Sequence, residues 1–110
     1  MARLIKETSV VWSPVRPELT RGVEGKLLRD GLPRIVLTKV VSGGQFYPHR
    51  DTYGHLFQVL SGRARVQVEE ELWDLGAGEE IRIAPGELHG YENLEAEDLL
   101  LISVNLPGEK

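Results

Sequence analysis

Cysteine is absent from this chain of 110 residues, which excludes disulfide bonds, thiolate metal sites and cysteine nucleophiles. No apolar run approaches the roughly 18 residues that a membrane-spanning helix requires. The formal net charge is −4 and no basic stripe is present, so nucleic acids and membranes are poor partners. The N-terminal residues lack the apolar segment of a signal peptide, and we therefore expect a cytoplasmic protein.

Glycine and proline organise what the sequence does contain, because 12 glycines and 6 prolines divide it into short runs. These runs are rich in β-branched residues, they alternate apolar with polar side chains, and none carries a helical apolar stripe. The pattern is typical of an all-β sandwich or barrel. The length fits one domain, which we place over residues 1–110.

Strands are predicted for the runs between these turns, at residues 34–41, 55–60, 63–69, 72–75, 80–83, 88–93 and 99–104. The glycines at 43 and 44 are expected to end the first strand. The run 99–104 is almost wholly apolar, which predicts a strand buried on both faces. Residues 1–33 are predicted to form an extended N-terminal arm, where Pro14 and Pro17 exclude a helix and allow only short edge strands.

A metal site is predicted from three histidines and one aspartate: His49, Asp51, His55 and His89. Side chains two residues apart on a strand point to the same face, so His49 projects with Asp51, and His89 with Tyr91. By the same count His55 shares a face with Phe57. We expect these side chains to converge on a cavity, with Phe57 and Tyr91 as candidate substrate-pocket residues. Imidazole and carboxylate ligands suit manganese, iron, nickel or zinc.

The spacing around the first two histidines carries a family resemblance. Gly43 is followed after five residues by His49, and His49 after one residue by Asp51. His55 follows after three more residues and Gly62 after a further six. This arrangement resembles the first motif of the cupin superfamily, which reads glycine, five residues, His-x-His, three or four residues, glutamate, six residues, glycine.

The spacing around the third histidine resembles the second cupin motif, which reads glycine, five residues, Pro-x-Gly, two residues, histidine, three residues, asparagine. Here Gly78 begins the motif, Gly86, His89 and Asn93 occupy their expected positions, and the proline falls one position later, at Pro85. The resemblance covers roughly residues 35 to 104. It implies a single-domain double-stranded β-helix, the jelly-roll barrel of the cupins, with the N-terminal arm outside it.

Two positions depart from the first motif. Asp51 replaces its second histidine, and His55 replaces its glutamate, a change that the chain shares with the similar four-histidine manganese-binding small cupins. The resemblance implies one divalent transition metal per chain, with manganese or iron expected ahead of nickel or zinc. Because aspartate is shorter than histidine, three roles stay open for Asp51: a direct ligand, a ligand through a water molecule, or an acceptor that orients an imidazole.

Three functions are compatible with these residues. The resemblance implies first an oxygenase or dioxygenase acting on a small organic substrate inside the barrel, with decarboxylase or isomerase chemistry as the next alternative; it assigns no catalytic residue. The second is a non-catalytic barrel that binds or senses a small molecule. The third is a metal-free barrel in which the histidines are structural and hydrogen-bonded.

The N-terminal arm also bears on assembly. Small cupins commonly pair through their N-terminal strands, and the arm contains three apolar residues that suit such a role: Val10, Val11 and Trp12. The resemblance therefore implies a homodimer.

Overall fold

The structure, a computed structural model, describes residues 11–31 and 33–106. These residues form nine strands and no helix: β1 (Ser13–Pro14), β2 (Thr20–Arg29), β3 (Arg34–His49), β4 (Gly54–Ser61), β5 (Arg63–Val68), β6 (Glu71–Gly76), β7 (Glu80–Ile83), β8 (His89–Glu92) and β9 (Leu99–Leu106). Every pairing is antiparallel, and the strand order is β6-β5-β8-β3-β9-β4-β7, with β2 on β3 and β1 on β2. The arrangement confirms the predicted all-β jelly roll.

Strand β3 joins the two halves of the barrel because it changes partner along its length. Its first half pairs with β9 from Arg34 to Val40, and its second half pairs with β8 from Gln45 to His49. The prediction that the strand ends at the two glycines was wrong. Gly43 adopts a positive φ of 77°, which bends the strand without ending it. Backbone hydrogen bonds with Asn93 continue across the bend.

The N-terminal region contributes more to the sheet than an extended arm would. The short edge strand β1 fits the prediction, but β2 is a ten-residue strand that the sequence analysis missed. The glycines and charged residues of β2 obscure the alternation of apolar and polar side chains that would have indicated a strand. Val23 is nevertheless part of the core, since it is only 3% exposed. A Cβ atom at Gly25 would lie 2.7 Å from Val36 and 2.9 Å from Val15, so this glycine allows the arm to pack closely. Val10 lies outside the described residues.

The core fills the space between the two halves of the barrel. Leu99 and Leu101 on β9 are almost fully buried. Leu100 and Ile102 are only half-buried, so the prediction that this strand is buried on both faces was wrong. One face lines the interior and the other lies towards solvent, as in most antiparallel sheets. No helix among the described residues is long and apolar enough to cross a membrane.

Candidate metal centre

Strand pairing brings the three histidines together at one end of the barrel. His49 is the last residue of β3 and lies opposite His89, the first residue of β8, with ring centroids 4.4 Å apart. His55 lies near the start of β4, and its ring centroid is 4.5 Å from that of His89. The strand period thus places the three imidazoles where the sequence predicted, facing one another.

Asp51 lies in the loop between β3 and β4, with its carboxylate among the three imidazoles. Its Oδ2 atom is 3.0 Å from Nε2 of His49, 2.9 Å from Nε2 of His55 and 3.6 Å from Nε2 of His89. Its Oδ1 atom accepts a hydrogen bond of 2.9 Å from Nη1 of Arg16. The Asp51 side chain is 6% exposed, so this carboxylate is buried and paired with a cation.

Backbone contacts of His49 and His89 decide which ring nitrogen carries the proton. Nδ1 of His49 lies 2.8 Å from the carbonyl oxygen of Tyr47, and Nδ1 of His89 lies 2.9 Å from that of Glu87. A carbonyl oxygen only accepts, so Nδ1 donates in both rings. In a neutral imidazole Nε2 then presents a lone pair. Nε2 of His49 and Oδ2 of Asp51 are two acceptors 3.0 Å apart, a contact that calls for a proton or a cation between them.

His55 has a different role in this geometry. Its Nε2 atom can carry the ring proton and donate to Oδ2 of Asp51, because no backbone carbonyl fixes its Nδ1 among the described residues. The cluster whose ligand atoms all lie within 4.8 Å of one another consists of His49, Asp51 and His89, without His55. The structure therefore presents a three-residue candidate metal site with His55 hydrogen-bonded beside it.

Burial and charge hold the cluster in forms that can bind a cation at neutral pH. Burial lowers the pKa of His89 to about 4, against the opposing effect of its bond to Glu87. Burial also lowers the pKa of His55, partly offset by Asp51. Burial acts to raise the pKa of Asp51, but hydrogen bonds from Arg16 and His55 hold it below its ordinary value. His55 and His89 are therefore neutral, and Asp51 is ionised.

A buried atom in the cluster lacks a partner. Among the described residues, Nε2 of His89 is the one buried side-chain nitrogen or oxygen without a hydrogen bond, and the residue is 2% exposed. Leaving a buried acceptor unpaired costs about 1–3 kcal/mol. A divalent ion at this end of the barrel would satisfy the atom, and imidazole with carboxylate is a donor set that first-row transition metals accept. The residues present thus fit a metal ion.

A cavity of about 450 Å³ adjoins the cluster. Both predicted pocket residues, Phe57 and Tyr91, line it, and both are buried. Phe46 also lines it and stacks on His49, with ring centroids 4.5 Å apart and an interplanar angle of 17°. The histidines therefore open onto a largely apolar chamber large enough for a small organic molecule.

The family model of cupin domains, Cupin_2, matches residues 36–105, well over half of the chain. The chain belongs to the cupin domain family. The two cupin motifs contain the glycines of two turns with positive φ: Gly62 at 88° and Gly86 at 85°. No curated protein matches the cupin sequence significantly.

Solved structures share the fold of this cupin at low identity. The polyketide cyclase RemF from Streptomyces resistomycificus aligns with a TM-score of 0.84 and 22% identity, over 96% of this chain and 79% of that one. A predicted oxalate decarboxylase from Thermotoga maritima aligns with a TM-score of 0.84 and 18% identity, over 94% of this chain and 98% of that one. KdgF from a Halomonas species aligns with a TM-score of 0.79 and 20% identity, over 96% of this chain and 95% of that one. At these identities the likeness concerns the fold alone.

Sequence reasoning missed two residues that shape the site of this cupin. Arg16 pairs with Asp51 across 35 positions of the chain, which no local pattern indicates. Phe46 stacks on His49 three residues away, where the strict two-residue alternation places it on the opposite face. The register shift between Phe46 and His49 in the pairing with β8 brings them together. The two-residue alternation of side chains along β3 is thus interrupted just before His49.

Proposed function

We propose that this cupin is a metal-dependent enzyme that acts on a small organic substrate in the barrel. One divalent transition ion, manganese or iron ahead of nickel or zinc, would be held by His49, Asp51 and His89. His55 would be the fourth ligand once its Nε2 gives up the hydrogen bond to Asp51. The ligand set is that of the four-histidine manganese-binding small cupins with one histidine replaced by a carboxylate. The proposed reaction class is that of an oxygenase or dioxygenase.

The observation that carries the proposal is the close approach of Nε2 of His49 and Nε2 of His89 to Oδ2 of Asp51. Nδ1 of His49 and of His89 donates to a backbone carbonyl, so Nε2 presents a lone pair towards the ionised Asp51 in His89, and does so in His49 in the neutral form of its ring. Direct contact of these acceptors is unfavourable, and an ion among them would turn every repulsion into a ligand bond. Backbone carbonyls that fix the Nδ1 proton are also the usual partners of metal-binding histidines.

The residues around the ion have separate tasks. A bound divalent ion would supply a Lewis acid and, if it were iron or manganese, a redox centre. Asp51 supplies the negative charge of the site, and Arg16 orients its carboxylate. Phe57 and Tyr91 give the cavity a water-poor wall beside the histidines. Burial raises the pKa of Tyr91, so its hydroxyl stays protonated and acts as a donor, not as a base.

The printed activities of the structural relatives do not transfer directly. One relative is a polyketide cyclase and another is a predicted oxalate decarboxylase. In this chain His55 stands where the first cupin motif has a glutamate, so the motif's carboxylate is absent from that position. Proton transfer would then fall to Asp51 or to bound water, which argues against a close analogue of oxalate decarboxylase.

A metal-free barrel is the second candidate, and one observation favours it. His55 and Arg16 both donate to Asp51, so most of the polar network is satisfied without an ion. In that case a proton on Nε2 of His49 would bridge to the carboxylate. This candidate predicts that the cluster is a structural network and that no metal copurifies with the protein.

Metal content and oxygen uptake together separate these candidates. Protein produced without a polyhistidine tag is loaded with Mn²⁺ or Fe²⁺, desalted, and analysed for metal per chain. Oxygen consumption is then followed with a panel of enols and thiols. We expect about one ion per chain and metal-dependent uptake with a member of the panel. An ion without any uptake would favour a ligand-binding barrel, and no ion would favour the structural one.

Two variants make the metal analysis specific. His89→Gln keeps a polar side chain of similar size but removes the unpaired Nε2, and it is expected to abolish stable metal binding. Gln58→Ala serves as the matched control, because Gln58 neighbours Phe57 on β4 but points away from the cavity side of that strand. Equal metal content in the two variants would sink the proposal.

A further inference from the structure

The charged groups that line the cavity are unbalanced. Two arginines, Arg16 and Arg34, are among its lining residues, and no aspartate or glutamate of the described chain is. Arg16 forms an ion pair with Asp51, which is not itself a lining residue. Arg34 is an exposed residue of the cavity lining that forms no ion pair with a carboxylate of the described residues, and a guanidinium remains charged at every physiological pH. The cavity therefore holds one uncompensated positive charge before any metal ion binds.

Strand register places Arg34 in line with the histidines. Arg34 on β3 lies opposite Asn105 on β9, and Asn105 lies opposite His55 on β4. With neighbouring strands about 4.8 Å apart, the backbone positions of Arg34 and His55 are roughly 10 Å apart across one sheet. The three side chains line the same cavity, so a molecule in it can contact the guanidinium at one end and the histidine cluster at the other.

Tyr53 completes the polar group around Arg34. Its ring packs against that of His55, with centroids 5.0 Å apart, and its hydroxyl is close enough to Arg34 and Asp51 for both to act on its pKa. Arg34 is exposed, Tyr53 and Asn105 are partly exposed, and no hydrogen bond joins a side-chain polar atom of these three residues to another described residue. Three unpartnered donors of this kind are suited to an external oxyanion.

The wall beside this row is mostly apolar, with Ser103 as a polar member. The next row across the sheet runs from Val36 on β3 through Ser103 on β9 to Phe57 on β4, and all three line the cavity. Leu27 from β2 and Val15 from the arm line it too. A ligand in the cavity therefore meets the polar row of Arg34, Asn105 and His55 and, next to it, a surface that is mostly hydrocarbon.

We propose that Arg34, Tyr53 and Asn105 form an anion-binding subsite that selects a small organic anion with an apolar body. The oxyanion is a carboxylate or a phosphate, held by the guanidinium fork, the phenol and the amide. The assignment of this anion as substrate, with its other end at the histidine cluster, rests on the function proposed above. The subsite itself rests on the cavity and its lining residues alone.

The test compares three probes that share an apolar body: 3-phenylpropionate, 2-phenylethyl phosphate and the neutral 3-phenylpropanol. Calorimetric affinities are measured for the native chain, Arg34→Gln, Arg34→Lys and Arg82→Gln, with and without Mn²⁺. Arg82 is the matched control, since its side chain is 74% exposed on β7. Metal per chain is measured in every sample.

We expect at least one anion to bind more tightly than the alcohol. Arg34→Gln should weaken that anion roughly 10- to 100-fold, the loss of a charge-assisted hydrogen bond, and leave the alcohol within about twofold. Arg34→Lys should recover part of the affinity, and Arg82→Gln should match the native chain. The anion that binds more tightly identifies the oxyanion as carboxylate or phosphate.

Equal affinities for anion and alcohol, or equal effects of Arg34→Gln on both, would overturn the subsite. Failure of all three probes to bind would overturn it as well. If the chain binds no metal but still prefers an anion to the alcohol, and loses that preference in Arg34→Gln, the subsite stands and the metalloenzyme proposal is refuted. The two proposals therefore fail independently.

Discussion

Nη1 of Arg16 lies 2.9 Å from Oδ1 of Asp51, so a residue of the N-terminal region holds the carboxylate that the three imidazoles surround. The backbone of Arg16 has a positive φ of 38°, a conformation that costs free energy in a residue with a side chain. The turn that carries Arg16 thus accepts some strain while its guanidinium reaches the site. This pair links the position of the arm to the charge of the candidate metal centre.

Replacing Arg16 tests that link. Arg16→Gln should lower the free energy of unfolding of the metal-free chain by about 1 kcal/mol, because the arginine is partly exposed and its pair is partly screened. In a double-mutant cycle measured by urea denaturation, Arg16→Gln should cost much less free energy of unfolding in the Asp51→Asn background than in the native chain. Additive losses from the two substitutions would show that the pair does not contribute as a unit.

The pKa of His89 predicts how stability depends on pH. Its folded value of about 4 lies below the ordinary 6.5, so the unfolded chain binds more protons between these limits. Stability of the metal-free protein should therefore fall as pH decreases from 6.5 to 4, by on the order of 3 kcal/mol from this residue. The pKa of His55 is lowered too and adds in the same direction.

Urea denaturation with a chelator present, at several pH values between 7 and 4, measures this dependence. In His89→Gln the slope should become shallower, because that group no longer titrates. A stability that stays level from pH 7 to pH 4.5 would contradict the burial of a neutral His89.

Asn93 predicts a structural effect that is independent of the metal. It is fully buried, its Nδ2 donates to the carbonyls of Val40 and Glu97, and its Oδ1 accepts from the backbone of Glu95. Asn93→Ala should lower the free energy of unfolding by about 3 kcal/mol, because buried carbonyls lose their donor. A loss no larger than that of Gln58→Ala, measured by the same denaturation, would refute this role.

Assembly remains a prediction from the family resemblance. Val11 is 77% exposed, while the ammonium groups of Lys26 and Lys39 lie over the ring of Trp12, 4.9 and 4.7 Å from its centroid. We predict a homodimer that buries Val11, and Val11→Lys should shift it towards monomer in sedimentation velocity. Sedimentation of the native protein as a monomer at all concentrations would contradict the dimer.

The sequence could predict the barrel and the meeting of the histidines because both depend on local rules. Strand periodicity indicates which side chains share a face, and turn glycines separate several of the strands, although Gly43 bends β3 without ending it. It could not predict β2, whose glycine at 25 is explained by its contact with Val15 and not by any local pattern. Arg16 escaped for the same reason, since its partner Asp51 is distant in sequence.

The distinction between His55 and the other two histidines also needed the structure. The sequence treats the three as equivalent ligands, and only the carbonyl contacts of His49 and His89 show that Nδ1 is the donor in these two rings, which leaves Nε2 as the ligand atom. His55 instead donates to Asp51, and it would have to give up that bond to become a ligand.

Calorimetric titration of tag-free, chelator-stripped protein with Mn²⁺ tests the central claim most directly. The account predicts one ion per chain for the native protein and for Gln58→Ala. It predicts a loss of affinity of roughly 100-fold or more in His89→Gln, with a smaller loss, roughly 10- to 100-fold, in Asp51→Asn. Absence of binding by the native chain, or the same affinity in native protein and His89→Gln, would contradict it.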